Sequence, residues 1–239
     1  MELIQGDCLE VMKDIPDNSV DMVCCDMPYG TTQNKWDSVI DLKKLWEQYE
    51  RIIKDNGAMV FTAQDKFSAR LMLSNEKLHR YNLIWDKQLV SGFLNANRMP
   101  LRVHEDVIIF YKKLPVYNPQ KSKGKKSHSK GSMNTNKNNN YGQYGKVDNT
   151  TSLGDMKHPK SIISFQKPHP SKCLHPTEKS LELMEWLVKT YTNKGDTVLD
   201  NCMGSGTTGV ACKNLNRGFI GIELDKEYFE IAKQRIENT

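Results

Sequence analysis

The chain has 239 residues, 38% of them hydrophobic, which suffices for one α/β core with a modest insertion, and no apolar run approaches the ~20 residues of a membrane span. Its six cysteines, at 8, 24, 25, 173, 202 and 212, show no two-residue gap of a zinc site or secreted framework, so no metal is expected and a reducing cytoplasm is the expected home. The net charge of +5 is uneven: residues 112–172 hold thirteen lysines against Asp148 and Asp155, leaving the remainder acidic, which suits either a polyanion contact or a solvated loop.

Met1 to Asp7 lack the basic start and apolar core of an export signal. Residues 1–113 then alternate short β-type runs with amphipathic stretches, the pattern of βα units around a largely parallel sheet. Strands are predicted at 2–5, 20–26, 58–63, 81–86 and 106–112. Asp7, after the first strand, sits at the carboxyl edge where open α/β sheets bind ligands, and either accepts from an adenine amino group or forms a turn. The second strand ends at Asp26 and runs directly into Met27-Pro28-Tyr29. Pro28 holds Met27 extended, so the Met27 carbonyl and the Asp26 carboxylate can face one spot beside Tyr29. Two acceptors and an aromatic face suit a planar base bearing an amine. The same residues also suit an ordinary strand-end turn. Leu42, Leu45, Trp46, Tyr49, Ile52 and Ile53 follow at helical spacing, with Asp41 as cap and Gly57 just beyond the end.

Residues 115–174 change character, being dense in Lys, Asn, Ser and Gly, and cannot build a core alone. Their length argues for a recognition insert that orders on a partner over a linker, with the polar segment at 119–158. Helical periodicity resumes at Leu181, Met184, Leu187, Val188 and Tyr191. A strand at 197–199 then opens into Asp200-Asn201-Cys202-Met203-Gly204-Ser205-Gly206-Thr207-Thr208-Gly209, followed by a short helix, a strand at 219–222 and a last helix from about 226. Gly204, Gly206 and Gly209 satisfy the dinucleotide pattern as well as other cofactor loops. A pyrophosphate would meet the Asp200 carboxylate, whereas a cationic ligand would welcome it. Asp200 either plays that part or caps the next helix. Glu223 ends the following strand, where a carboxylate can accept ribose hydroxyls.

Asp26-Met27-Pro28-Tyr29 and the 200–208 loop together resemble the amino-methyltransferases of DNA, whose motifs read Asp-Pro-Pro-Tyr and Asp-Pro-Phe-x-Gly-Ser-Gly-Thr-Thr. The catalytic motif precedes the cofactor loop, the circularly permuted order of the beta class. His175-Pro176-Thr177-Glu178-Lys179 and the stretch from Asn95 to Glu105 are similar to further motifs of that class. The resemblance covers about residues 1–118 and 173–239. It implies a Rossmann-like, mostly parallel seven-stranded sheet with helices on both faces, divided into a catalytic half (1–114), a target-recognition insert (115–174) and a cofactor-binding half (175–239).

It further implies S-adenosylmethionine as cofactor and methylation of a flipped-out adenine at N6 in double-stranded DNA. Asp26 and the Met27 carbonyl would hold the amine, Pro28 would fix the turn, and Tyr29 would stack on the base. Asp200, Gly204, Gly206 and Thr207 would surround the methionine end of the cofactor, Glu223 its ribose and Asp7 its adenine. Cys8, Cys202, Thr208, Leu224, His175 and Lys179 complete the cofactor set. Lys121, Lys123, Lys125, Lys126 and Lys130, with Asn97 and Arg98, are the implied DNA contacts. Met27 stands where the family has its first proline, and Asn201 and Cys202 replace its Pro-Phe. Cytosine-N4 methylation, a non-catalytic nucleic-acid-binding module and an NAD-dependent oxidoreductase stand as alternatives; a homodimer and a cognate restriction endonuclease are left open.

Overall fold

The computed structural model describes residues 1–30, 38–125, 155–168 and 178–239. In chain order its elements are β1 (Glu2–Gln5), α1 (Cys8–Val11), β2 (Val20–Cys25), α2 (Leu42–Ile52), β3 (Ile53–Ala63), α3 (Asp65–Ser74), β4 (His79–Ser91), β5 (Arg102–Phe110), β6 (Ser122–Lys123), β7 (Met156–Lys157), β8 (Ile162–Ser164), α4 (Leu181–Tyr191), β9 (Thr197–Asp200), α5 (Thr207–Asn214), β10 (Gly218–Glu223) and α6 (Lys226–Glu237). Two compact units separate, one of Met1–Asn118 with Ser161–Thr239, the other Pro119–Lys160.

The first unit is built on a sheet of order β1-β10-β9-β2-β3-β5-β4-β8. Neighbours from β1 through β3 are parallel. β5 lies antiparallel between β3 and β4, and β8 runs parallel to β4. The sheet therefore has eight strands where seven were expected. The extra one comes from residues placed in the insert, whose Ile163 is buried beside Trp85.

Period-two alternation sorts the core. Val23 and Cys25 of β2 face one apolar layer with Leu45, Trp46 and Tyr49 of α2 and Phe67 and Leu71 of α3. Met22 and Cys24 face the other, with residues of α4, α5 and α6. A strand buried on both faces reads as a continuous apolar run, which is how β2 reads from Met22 to Cys25. Asp41 caps α2 by accepting from the Lys43 and Lys44 amides, as its position before the periodic run predicts. Gly57 does not end that helix. α2 passes directly into β3, and Gly57 lies inside the strand, where a Cβ would come within 2.7 Å of the Asp21 carbonyl oxygen. Its role is close approach to β2, not helix termination.

In the second unit β6 and β7 pair antiparallel through Ser122 with Lys157 and Lys123 with Met156. Lys121, Lys123 and Lys125 are exposed there. Lys126, Lys130, His175 and most of the polar segment lie outside the described residues. Among the described residues no helix is long and apolar enough to cross a membrane.

Candidate active site

β2 and β9 are sheet neighbours, yet the chain leaves them in opposite directions, from β2 to β3 and from β9 to β10. The crevice beyond their carboxyl ends is a topological switch point, the place where open α/β sheets bind ligands. Asp26-Met27-Pro28-Tyr29 leaves β2 there and the glycine loop leaves β9. Together they line one cleft of about 1130 Å³.

Asp26 is the hub on the β2 side. Its Oδ1 accepts from the Tyr29 hydroxyl at 2.7 Å and from the Thr62 hydroxyl, and its Oδ2 from Lys179 Nζ at 2.5 Å. The Tyr29 ring stacks on Phe67 with centroids 5.1 Å apart, and Lys179 Nζ lies 5.6 Å from the Tyr29 centroid. Met27 turns its side chain inward and is buried. Its sulfur lies 3.9 Å from the Tyr49 hydroxyl, which donates to Asn201 Oδ1 at 2.6 Å. Two positions that depart from the family motifs thus meet at one tyrosine, which ties the tetrapeptide to the glycine loop.

Behind Asp26 lies a run of buried charge. Lys179 also pairs with Glu105 Oε2 at 3.5 Å, and Lys87 with Glu105 Oε1 at 3.2 Å. Lys87 continues the inward face of Leu83 and Trp85, while Glu105 continues that of Val107 and Ile109, so alternation alone drives both into the layer beneath α4. Burial opposes the Lys179 ammonium, but Asp26 and Glu105 outweigh it and hold the group above its ordinary value. Burial, then the charges of Asp26 and Glu105, push the Tyr29 hydroxyl well up, so it stays a neutral donor. Burial, with the like charge of Lys179, lowers Lys167, which also lines the cleft.

On the β9 side Asp200 is buried and accepts from the Cys202 amide at 3.1 Å. It does not cap α5, whose cap residue is Gly206 with φ of 78°. Burial pushes the Asp200 carboxyl up to about 7, against the opposing hydrogen bonds of Thr208 and the Cys202 amide. No cation pairs with it among the described residues. Glu223 accepts from the Gly204 amide at 2.8 Å and the Asp225 amide at 2.9 Å, and burial raises it as well. Arg235 braces the loop from α6, donating to the Ser205 carbonyl and the Ser205 and Thr207 hydroxyls and pairing with Glu178 at 2.8 Å. Gly209 serves packing: a Cβ there would collide with Ile236 and lie 2.8 Å from Phe219.

Asp7, Cys8, Cys202, Gly204, Thr207, Thr208, Glu223 and Leu224 all line this cleft with the tetrapeptide. Asp7 takes the turn-forming alternative, its Oδ1 capping α1 at the Leu9 amide. Gly206 shapes the loop without lining it. Lys179, expected in the cofactor set, sits against Asp26. Asn97 and Arg98 lie on an exposed segment that also displays Phe93 and Leu94 and follows cleft residues Val90 and Ser91. Sequence reasoning gave no role to Thr62 or Lys87, and took in Glu105 only as the last residue of the stretch from Asn95. Lys87 and Glu105 lie one residue outside the predicted strands 81–86 and 106–112, in step with their apolar inward faces, which was the available signal.

Residues 20–234 match a family model described as DNA methylase, of the N6/N4 type. The type II methyltransferase M.BglII of Bacillus subtilis is 30% identical over 262 residues, covering 98% of this chain and 68% of its own. M.HpaI of Haemophilus parainfluenzae is 27% identical over 254 residues, covering 99% and 74%. Among solved structures, the M1.HpyAVI–SAM complex aligns with a TM-score of 0.67 at 29% identity over 98% of both chains. The cytosine-N4-specific PvuII DNA methyltransferase aligns with a TM-score of 0.70 at 15% identity over 98% and 85%, a likeness of fold alone.

Proposed function

The chain belongs to the N6/N4 family of DNA methylases, and from that premise we propose that it methylates the N6 amine of adenine in DNA, with Asp26-Met27-Pro28-Tyr29 receiving the base. It is a DNA methyltransferase of the S-adenosylmethionine-dependent fold, and S-adenosylmethionine is its cofactor. The observation that carries the two-substrate site is the convergence of the tetrapeptide and the glycine loop on one cleft, and the Asp that opens the tetrapeptide, where cytosine-N4 enzymes more often have Ser, supports adenine by resemblance.

The residues present fit the cofactor. Asp200 is a buried carboxylate without a cationic partner among the described residues, which suits an ammonium or sulfonium and repels a pyrophosphate. In this reading Asp200 with Gly204, Gly206, Thr207 and Thr208 holds the methionine end, Glu223 and Leu224 the ribose, and Asp7, Cys8 and Cys202 the remainder. His175 belongs to the same set by resemblance. Bound there, the cofactor supplies a methyl group on a sulfonium, open to attack by an amine.

The amine needs help, because its lone pair is delocalised into the ring. Asp26 and the Met27 carbonyl accept its two hydrogens and offset the positive charge that develops on nitrogen. Pro28 keeps those acceptors in place, and the backing of Phe67 keeps Tyr29 set for stacking on a base drawn out of the duplex. Lys179 rests on Asp26 at the edge of this group. Asn97 and Arg98, and Lys121, Lys123 and Lys125 in the second unit, are assigned to DNA, with Lys126 and Lys130 alongside them in sequence.

Incubation with PCR-amplified genomic DNA and the cofactor, followed by nucleoside mass spectrometry, is expected to yield N6-methyldeoxyadenosine. Recovery of N4-methyldeoxycytidine alone would overturn the adenine assignment. Asp26→Ala is expected to lower product about 100-fold or more while calorimetric cofactor binding persists.

A further inference from the structure

Asp26, Lys87, Glu105 and Lys179 form a chain of alternating charge at the carboxyl end of β2, under the start of α4. Two features of it have no part in the chemistry above. Asp26 already accepts from Tyr29 and Thr62 on Oδ1 and from Lys179 on Oδ2, so an arriving amine must share the carboxylate with an ammonium. Glu105 Oε2, in contrast, is buried with no hydrogen-bond partner, although Lys179 Nζ lies only 3.5 Å away. An unsatisfied buried carboxylate oxygen is rare and calls for a reason.

We propose that Glu105 is a positioning residue that takes Lys179 over when the target amine claims Asp26, so that one ammonium serves two carboxylates in turn. This rests on the assignment of Asp26 as amine acceptor. Lys87 occupies Glu105 Oε1, and Oε2, already in ion-pair range of Lys179 but without a hydrogen bond, is the oxygen that would close on it. Two lysines and two carboxylates make the chain neutral, and moving Lys179 within it keeps the net charge, the carboxylate left without a cation being the partly exposed Asp26 and not the buried Glu105. Lys167 and the Tyr29 hydroxyl are the other titratable groups facing this spot. Burial pushes the tyrosine up, so it stays a neutral donor on Oδ1, and burial lowers Lys167, which makes no ion pair with Asp26. With Lys179 withdrawn, Asp26 presents its full charge to the amine. With Lys179 in place, that charge is held neutral and the residue is shielded until a base arrives.

The experiment follows transfer of tritiated methyl from S-adenosylmethionine to PCR-amplified genomic DNA, with kcat and the cofactor KM measured separately and folding checked by thermal melting. Glu105→Gln keeps the side chain's size but removes the charge that would draw Lys179 off Asp26. Its kcat is expected to fall about tenfold or more, with the cofactor KM within about twofold. Adding Lys179→Met to Glu105→Gln removes the ammonium altogether and is expected to recover most of the missing kcat, which a purely structural role for Glu105 would not allow. Wild-type kcat in Glu105→Gln, or a loss that Lys179→Met deepens, would overturn the proposal. If Glu105→Gln does not fold, Glu105→Asp takes its place, since it keeps a charge for Lys87 and draws the carboxylate back by one methylene. The same pattern of loss and recovery is then expected. Asp26→Asn in the same assay separates the premise from the exchange: wild-type turnover there sinks the amine-acceptor assignment, whereas loss there with an unaffected Glu105 variant sinks only the exchange.

Discussion

Met27 and Asn201 stand where the motifs they resemble carry prolines, and Tyr49 explains how the chain tolerates both. Its buried hydroxyl satisfies the Asn201 side chain and touches the Met27 sulfur, so the rigidity that prolines would supply locally comes from a link between distant segments. Asp200 gives the residue scale its sharpest consequence. Burial raises its carboxyl to about 7, so the group is neutral below that pH and ionised above it. A cationic ligand favours the ionised form and is held less tightly as pH falls through 7. Cofactor affinity measured by calorimetry is expected to weaken by up to about tenfold per pH unit between 7 and 5.5 and to level off above 7.5. Asp200→Asn is expected to bind the cofactor more weakly and to lose this pH dependence.

At the scale of elements, the glycine loop is held by what packs around it. Gly206 takes a left-handed φ to start α5, Arg235 of α6 braces the loop, and Gly209 lets α5 approach β10 and α6. The third glycine of such loops commonly serves helix packing instead of the ligand. Gly209→Ala would press a methyl group against Phe219 and Ile236, both buried, and is expected to cost about 1–3 kcal/mol, read as a lower midpoint in urea with an unchanged slope. Much at this scale was legible beforehand. The Asp41 cap and the apolar period of α2 predicted its start and face, because both signals are local. Gly57 misled, since a glycine after a helix and a glycine admitting a neighbouring strand look alike in one dimension. β8 was hidden because three residues of strand carry too little pattern to stand out from a polar insert.

Across the whole molecule, charge is divided between an acidic body and a lysine-rich second unit. Lysines on a DNA-binding surface act by releasing counterions, and each phosphate they neutralise adds about 0.9 to the steepness of the salt dependence. Lys121→Ala, Lys123→Ala and Lys125→Ala together are expected to weaken DNA binding at low salt and flatten its dependence on salt, measured by fluorescence anisotropy at several ionic strengths. An unchanged slope would remove these lysines from the interface. The sequence by itself determined the α/β class, most strand and helix positions, and the two motifs that end β2 and β9, because periodicity, caps and turn residues act over a few neighbours. Only the tertiary structure decided that those strands adjoin at a switch point, that Lys179 rests on Asp26, and that Lys87 and Glu105 are buried behind it. The physical reason is that these buried ammonium and carboxylate groups are held by one another, and the partners come from segments far apart in the chain.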